Sequence, residues 1–148
     1  MSKTILLVED NPSDEKLTLQ AFKSCGVSND VFVVRDGEAA LDYLFTTGPY
    51  AALAGASPPT VVLLDLKLPK IDGLEVLRRL RADERTRLLP VVILTSSRED
   101  EDVLRGYTLG ANAYVRKPIE FSEFVQAART LGLFWLLLNE VPPAGRPA

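Results

Sequence analysis

The sequence predicts an α/β fold, a five-stranded parallel sheet with helices on both faces. Two patterns carry this expectation. Short apolar, β-branched runs alternate five times with stretches of helical periodicity, which calls for right-handed βαβ crossovers. The runs are also almost wholly apolar and lack the in-out alternation of a half-solvated sheet, as strands buried on both faces are. The 148-residue chain, with 47% hydrophobic and 25% charged residues, suits one globular domain with a sizeable core.

The elements follow in order. Ile5, Leu6, Leu7 and Val8 form a buried strand that ends in acids, and Asn11, Pro12 and Ser13 break it. Ser13 or Asp14 caps a helix reaching about Ser24, with Leu17, Ala21 and Phe22 facing inward, and Gly26 stops it. Val31, Phe32, Val33 and Val34 are the second strand. Asp36 and Gly37 turn into a helix holding Ala40, Leu41, Leu44 and Phe45. Residues 46–59, TTGPYAALAGASPP, read as a loop on an otherwise tight frame. The third strand spans Val61–Leu64 and runs into Asp65. Asp72 and Gly73 open a helix with Leu74, Leu77 and Leu80 on one face. The fourth strand covers residues 91–94 and ends at Thr95, Ser96 and Ser97; a helix over 99–109 follows, closed by Gly110 and Ala111. Ala113, Tyr114 and Val115 make the fifth strand, which ends at Arg116, Lys117 and Pro118. A last helix starts near Glu120 or Ser122 and runs to about Asn139, and the tail VPPAGRPA is expected to be disordered.

Composition excludes several classes. The chain has no histidine, which removes His-based metal sites, Ser-His-Asp and Cys-His triads, and any phosphohistidine of its own. A net charge of −3 without a basic block predicts no nucleic-acid partner. The lone Cys25 cannot form an internal disulfide and reads as a small apolar filler, in keeping with a reducing cytoplasm. MSKTILLVED runs straight into a strand, so no signal peptide is expected. The longest apolar run, residues 133–138, falls far short of the roughly 20 residues of a membrane span.

In an open α/β sheet, ligands bind beyond the carboxyl ends of the strands. Those ends carry Glu9 and Asp10, Asp65, Thr95, and Lys117 with Pro118. Three carboxylates aimed at one rim repel unless a cation joins them. A hard divalent ion such as Mg²⁺ suits all-oxygen ligands. The lysine and the hydroxyl then face the remaining charge of a bound phosphoryl group, and neutralising that charge is most of what phosphoryl transfer asks of a protein.

LLVEDNPSD, LLDLKLPKIDG, LTSS and YVRKP, in that order and spacing, resemble the receiver domain of two-component response regulators over about residues 3–131. The resemblance implies a doubly wound, flavodoxin-like sheet of strand order 2-1-3-4-5. It implies that Asp65 is the nucleophile taking a phosphoryl group from a sensor histidine kinase. Asp10, Asp65 and the main-chain carbonyl of Lys67 would hold Mg²⁺, with Glu9 assisting through water; Glu9 stands where many receivers have Asp. Lys117 would pair with a phosphoryl oxygen, ahead of a cis bond to Pro118. Thr95 would hydrogen-bond another phosphoryl oxygen, with Tyr114 rotating inward as Thr95 moves. In receivers, the residues two after the aspartate and two after the threonine govern water access to the phosphate. Here they are Lys67 and Ser97, neither of which is an acid or amide that orients a hydrolytic water. A phosphorylated state lasting minutes or longer is therefore expected.

The last helix departs from the usual receiver. Phe121, Phe124, Val125, Ala128, Leu131, Trp135 and Leu138 form one apolar face, and Leu133, Phe134, Leu136 and Leu137 cover the other sides. A helix end that is apolar all round must be covered. Residues 1–131 are therefore read as the receiver, and 132–148 as an extension whose Leu133, Phe134, Trp135, Leu136 and Leu137 pair with a second copy, followed by a tail. FWLLLNEVPP, NPSD and the long loop before the third strand also resemble the response regulators of bacterial and cyanobacterial phytochromes, which are dimers. That implies a phytochrome-type kinase as donor; a phosphorelay role for another kinase is the alternative. No output domain is expected after the fifth strand. A small Asp-nucleophile phosphatase is disfavoured, because such hydrolases place a second Asp two residues on and this chain reads Asp65-Leu66-Lys67. Its only expected catalysis is therefore its own phosphotransfer and dephosphorylation.

Overall fold

A computed structural model describes residues 4–24, 30–96 and 99–116, together with the helical, exposed Glu123 and Gln126. Strands β1 (Thr4–Val8), β2 (Asp30–Val34), β3 (Val61–Leu64), β4 (Val91–Thr95) and β5 (Ala113–Arg116) alternate with helices α1 (Pro12–Ser24), α2 (Gly37–Phe45), α3 (Gly73–Ala82) and α4 (Asp100–Thr108). All strand pairs are parallel and the order is β2-β1-β3-β4-β5, as expected. Apart from Glu123 and Gln126, the expected last helix and its apolar end, Leu133 to Leu137 included, lie outside the described residues, as do Cys25, Ser97, Lys117 and Pro118.

Alternation along each strand builds two cores. Leu6, Val8, Val62, Leu64, Val91 and Ile93 face one way and pack with Leu41 of α2 and Leu74, Val76, Leu77 and Leu80 of α3. Ile5, Leu7, Val61, Leu63, Val92 and Leu94 face the other way, against Ala21 and Phe22 of α1. The three central strands are buried at nearly every position, which is why their sequences are continuous apolar runs. β2 departs from that rule because it is an edge: only Val34 is fully buried. Phe32 stays 38% exposed but is half-covered by stacking on Tyr43, ring centroids 4.6 Å apart, with Tyr50 edge-on at 5.8 Å.

Local chemistry sets the helix starts. The Asp36 carboxylate accepts from the Ala39 N–H at 2.7 Å and caps α2; Asp72 accepts from the Glu75 N–H at 2.9 Å and caps α3. α1 corrects the expected cap. Asn11, not Ser13 or Asp14, accepts from the Ser13 and Asp14 N–H groups at 2.9 and 3.1 Å. Leu17 packs against the core as expected, and Thr18 joins Ala21 and Phe22 fully buried on α1; its hydroxyl donates to the Asp14 carbonyl at 2.9 Å, which lets a polar side chain sit inside. The expected loop over 46–59 contains a short 3-10 helix, Gly48–Leu53, whose Tyr50 completes the aromatic cluster over β2.

Arg81 at the end of α3 ties the opposite edge of the sheet. Its guanidinium donates to the carbonyls of Leu89 at 2.7 Å, Arg87 at 3.0 Å and Gly110 at 2.8 Å, and to Asn112 Oδ1 at 3.1 Å. Asn112 Oδ1 also accepts from the Val91 N–H at 2.8 Å, so one fork joins the entrances of β4 and β5. Burial pushes the Arg81 pKa down from its usual value. Among the described residues, no helix is long and apolar enough to cross a membrane.

Candidate functional site

Strand register brings the acids together. Val8 of β1 pairs with Leu64 of β3, so the residues that follow, Glu9 and Asp65, leave the sheet side by side. The Asp65 N–H donates to the Val8 carbonyl at 3.1 Å and the Glu9 N–H to the Val34 carbonyl at 3.0 Å, extending both ladders one step past the strands. This is also where the topology reverses, β2 lying to one side of β1 and β3 to the other. The connections leaving β1 and β3 diverge there, and in open α/β sheets ligands bind in the crevice at such a point.

Carboxylate oxygens of Glu9, Asp10 and Asp65 lie within 4.8 Å of one another. Glu9 is 1% and Asp65 6% exposed, while Asp10 reaches solvent. Asp65 Oδ1 accepts from the Thr95 hydroxyl at 2.8 Å and from the Lys67 N–H at 3.1 Å. Thr95 is itself fully buried. Glu9 Oε2 faces the Asn11 N–H at a long 3.4 Å. A trio of hard oxygen donors, two of them removed from water, fits a divalent cation with oxygen preference, since buried like charges at this spacing are otherwise costly.

Glycine permits the geometry. A Cβ on Gly73, the first residue of α3, would overlap the Asp65 carbonyl oxygen and approach Leu66 Cα to 2.7 Å. The start of α3 therefore rests directly on the main chain that carries Asp65, and the Gly73 N–H donates to the Leu66 carbonyl at 3.0 Å. Lys70 in the same loop adopts a left-handed conformation, φ 68°, and its ammonium reaches Asp36 and Glu38 at 3.8 and 3.5 Å.

Tyr114 sits on β5 opposite Ile93, and β4 and β5 remain paired through Thr95 and Arg116. Its half-buried ring packs against the core shared with α2 and α3 and lies beneath α4: a Cβ on Gly106 would meet the ring at 3.4 Å and Ile93 Cδ1 at 2.8 Å. Glu9, Asp10, Asp65, Lys67 and Thr95 are thus brought together, and Tyr114 stands one strand away. Sequence reasoning missed the Lys67 N–H on Asp65, the role of Gly73, and a cavity of about 490 Å³ beside the acids. That cavity is lined by Asp10, Leu66, Lys67, Leu68, Pro69, Asp72, Leu74, Asp102 and Arg105. The Gly73 contact had a sequence signal in the Asp72-Gly73 pair; the cavity, assembled from distant segments, had none.

A flavodoxin-like sheet whose switch point holds three acids and a hydroxyl defines a phosphoryl-handling signalling domain. The chain belongs to the response regulator receiver domain family, whose profile matches residues 5–129. Its curated relatives include the probable methanogenesis regulatory protein FilR2 of Methanothrix harundinacea, 42% identical over 93% of this chain and 86% of the relative. Among solved structures, the bacteriophytochrome response regulator AtBRR is 55% identical, covering 95% of this chain and 99% of its own, with a TM-score of 0.76. The phosphorylated cyanobacterial phytochrome response regulator RcpA is 38% identical over 97% and 100%, with a TM-score of 0.87. The Mn²⁺-bound form of Rcp1, a Synechocystis response regulator, is 34% identical over 95% and 99%, with a TM-score of 0.85. The chain is homologous to phytochrome response regulators, and a receiver neighbour has been crystallised with a divalent metal.

Proposed function

We propose that the chain is a cytoplasmic phospho-acceptor of a phytochrome-type sensor histidine kinase, with Asp65 as the phosphorylated residue. The observation that carries this is the buried Asp65 carboxylate at the switch point, 2.8 Å from Thr95 and clustered with Glu9 and Asp10. A carboxylate oxygen of Asp65 attacks the phosphorus of the kinase's phosphohistidine. The P–O bond forms as the P–N bond breaks, and the imidazole nitrogen leaves with the electron pair. Glu9, Asp10, Asp65 and the main-chain carbonyl of Lys67 are the proposed Mg²⁺ ligands, and the charge it supplies when bound offsets that of the phosphoryl oxygens. Lys117 is assigned to a phosphoryl oxygen on the strength of the YVRKP motif.

Thr95 is proposed to exchange its hydrogen bond to Asp65 for one to a phosphoryl oxygen, a more highly charged acceptor. Tyr114, whose ring packs on the core beneath α4, is proposed to rotate inward as Thr95 moves. Two copies are proposed to join through Leu133, Phe134, Trp135, Leu136 and Leu137, with residues 132–148 as extension and tail; the apolar sequence of that stretch supports this. The chain's chemistry is confined to gaining and losing its own phosphoryl group, and Lys67 at the position of a general acid argues against a phosphatase.

The test is phosphotransfer. A phytochrome-type kinase charged with labelled ATP is expected to pass label to the chain in Mg²⁺ and not to Asp65→Asn. Label on Asp65→Asn would refute the acceptor assignment. The 42% identity to FilR2 favours a second reading in which another kinase is the donor. Faster transfer from a non-phytochrome kinase would select it.

A further inference from the structure

Beside the acid trio, the cavity of about 490 Å³ is lined by Asp10, by Lys67, and by Asp102 and Arg105 of α4. Lys67 plays two parts. Its N–H is committed to Asp65 Oδ1 at 3.1 Å, so its main chain is anchored to the acceptor. Its side chain then leaves that anchor along the cavity, and its ammonium stands 4.0 Å from Asp102 Oδ2. The two ends of this ion pair differ: the Lys67 side chain is 66% exposed and that of Asp102 13%. A carboxylate so largely removed from water is a fixed post, and a lysine on a flexible stem is the group that adapts to it. Water that hydrolyses a phospho-aspartate must approach the phosphorus from the side away from the aspartate oxygen, and the open cavity is lined by Leu66 and Lys67, the two residues that follow Asp65.

We propose that Asp102 is a positioning residue: by holding the Lys67 side chain across the cavity, α4 restricts the approach of hydrolytic water to phosphorylated Asp65 and lengthens the life of the phosphoryl group. The inference rests on Asp65 being the acceptor. It adds a partner to Lys67 and makes the lifetime respond to the placement of α4, the helix under which Tyr114 packs. Because the lysine end is exposed, the effect is modest and sensitive to salt.

The full chain and its variants are phosphorylated with a small acyl phosphate in Mg²⁺, the donor is removed, and loss of the phosphoryl group is followed by intact mass. Asp102→Ala is expected to shorten the lifetime by about two- to fivefold at low salt, with the difference shrinking in high salt, and Asp102→Glu to restore most of it. Lys67→Ala is expected to shorten it similarly and to leave Asp102→Ala with no further effect. A general disturbance of α4 would act equally with or without Lys67, so equal effects of Asp102→Ala in both backgrounds overturn the proposal. An unchanged lifetime in Asp102→Ala, with phosphorylation normal, overturns it alone. Failure of the unmodified chain to accept phosphate on Asp65 overturns it together with the acceptor reading.

Discussion

The Thr95 hydroxyl donates to Asp65 Oδ1 at 2.8 Å, joining the carboxyl ends of β4 and β3 inside the protein. A buried threonine tolerates this position because its hydroxyl has a charged acceptor, and the carboxylate gains one of the donors it lost on leaving water. The bond holds the hydroxyl where a phosphoryl oxygen on Asp65 would compete for it.

Thr95→Ala is therefore expected to cost about 1–3 kcal/mol in urea unfolding, the price of a buried carboxylate losing a donor. It should still accept phosphate but fail to show the spectral change that beryllofluoride produces in the unmodified chain. Thr95→Ser, which keeps the hydroxyl, should recover both. A normal response to beryllofluoride in Thr95→Ala would remove Thr95 from the switch.

Crowding of Glu9, Asp10 and Asp65 makes stability and metal binding pull in opposite directions. Glu9→Gln is expected to raise the metal-free Tm, because it removes a buried negative charge facing two others. The same substitution should weaken Mg²⁺ by roughly tenfold, about 1.4 kcal/mol, in calorimetric titration. For the unmodified chain, Mg²⁺ at 100 times its Kd should add about 2.7 kcal/mol of stability. A Glu9→Gln protein less stable than the parent without metal would contradict the electrostatic account.

Gly73→Ala tests the contact between α3 and the acceptor strand. Since its Cβ would overlap the Asp65 carbonyl oxygen, the main chain beneath the carboxylate has to move. A destabilisation of at least ~2 kcal/mol and a large loss of phosphotransfer are expected together. Retention of both would show that α3 can shift without disturbing Asp65.

Glu75 supplies a pH signature away from the site. Hydrogen bonds from Arg78 and Arg79 hold its carboxyl below the ordinary 4.5, at about 2. A carboxylate lowered in the folded state contributes stability that is fully present above its unfolded value and lost as pH falls through the folded one. The contribution should thus fade between about pH 4.5 and 2 and be small throughout, because the group is partly exposed and screened by salt. Urea unfolding of Glu75→Gln against the parent should show a gap at pH 5 that closes by pH 2. A gap that widens on acidification would reverse the sign.

The phosphorylated form is expected to persist for minutes or longer once the donor is removed, as the absence of an acid or amide at Lys67 and Ser97 suggests. A half-life of seconds by intact mass would set that aside.

Much of this molecule was legible in one dimension. Continuous apolar runs located all five strands to within a residue or so, and in the central three, burial on both faces leaves no polar position to blur the pattern. Asp36 and Asp72 announced their helices because capping is a local bond between residues three apart. The acids and the hydroxyl could be named because each directly ends a strand. The cap of the first helix was less legible, since several residues in NPSD are competent caps and only the backbone selects Asn11 over Ser13 and Asp14. The 3-10 helix at Gly48–Leu53 was hidden in a Gly- and Pro-rich stretch and is covered by aromatic contacts from β2 and α2.

What residues supply the chemistry, and on which kind of frame, was settled by the order of types along the chain. Their meeting was decided by tertiary structure alone. The register of Val8 with Leu64 sets Glu9 beside Asp65, the missing Cβ of Gly73 lets α3 close on it, and the reach of Lys67 to Asp102 spans 35 positions of sequence. Such relations depend on strand registry and backbone proximity between distant segments, which no local pattern of side chains encodes.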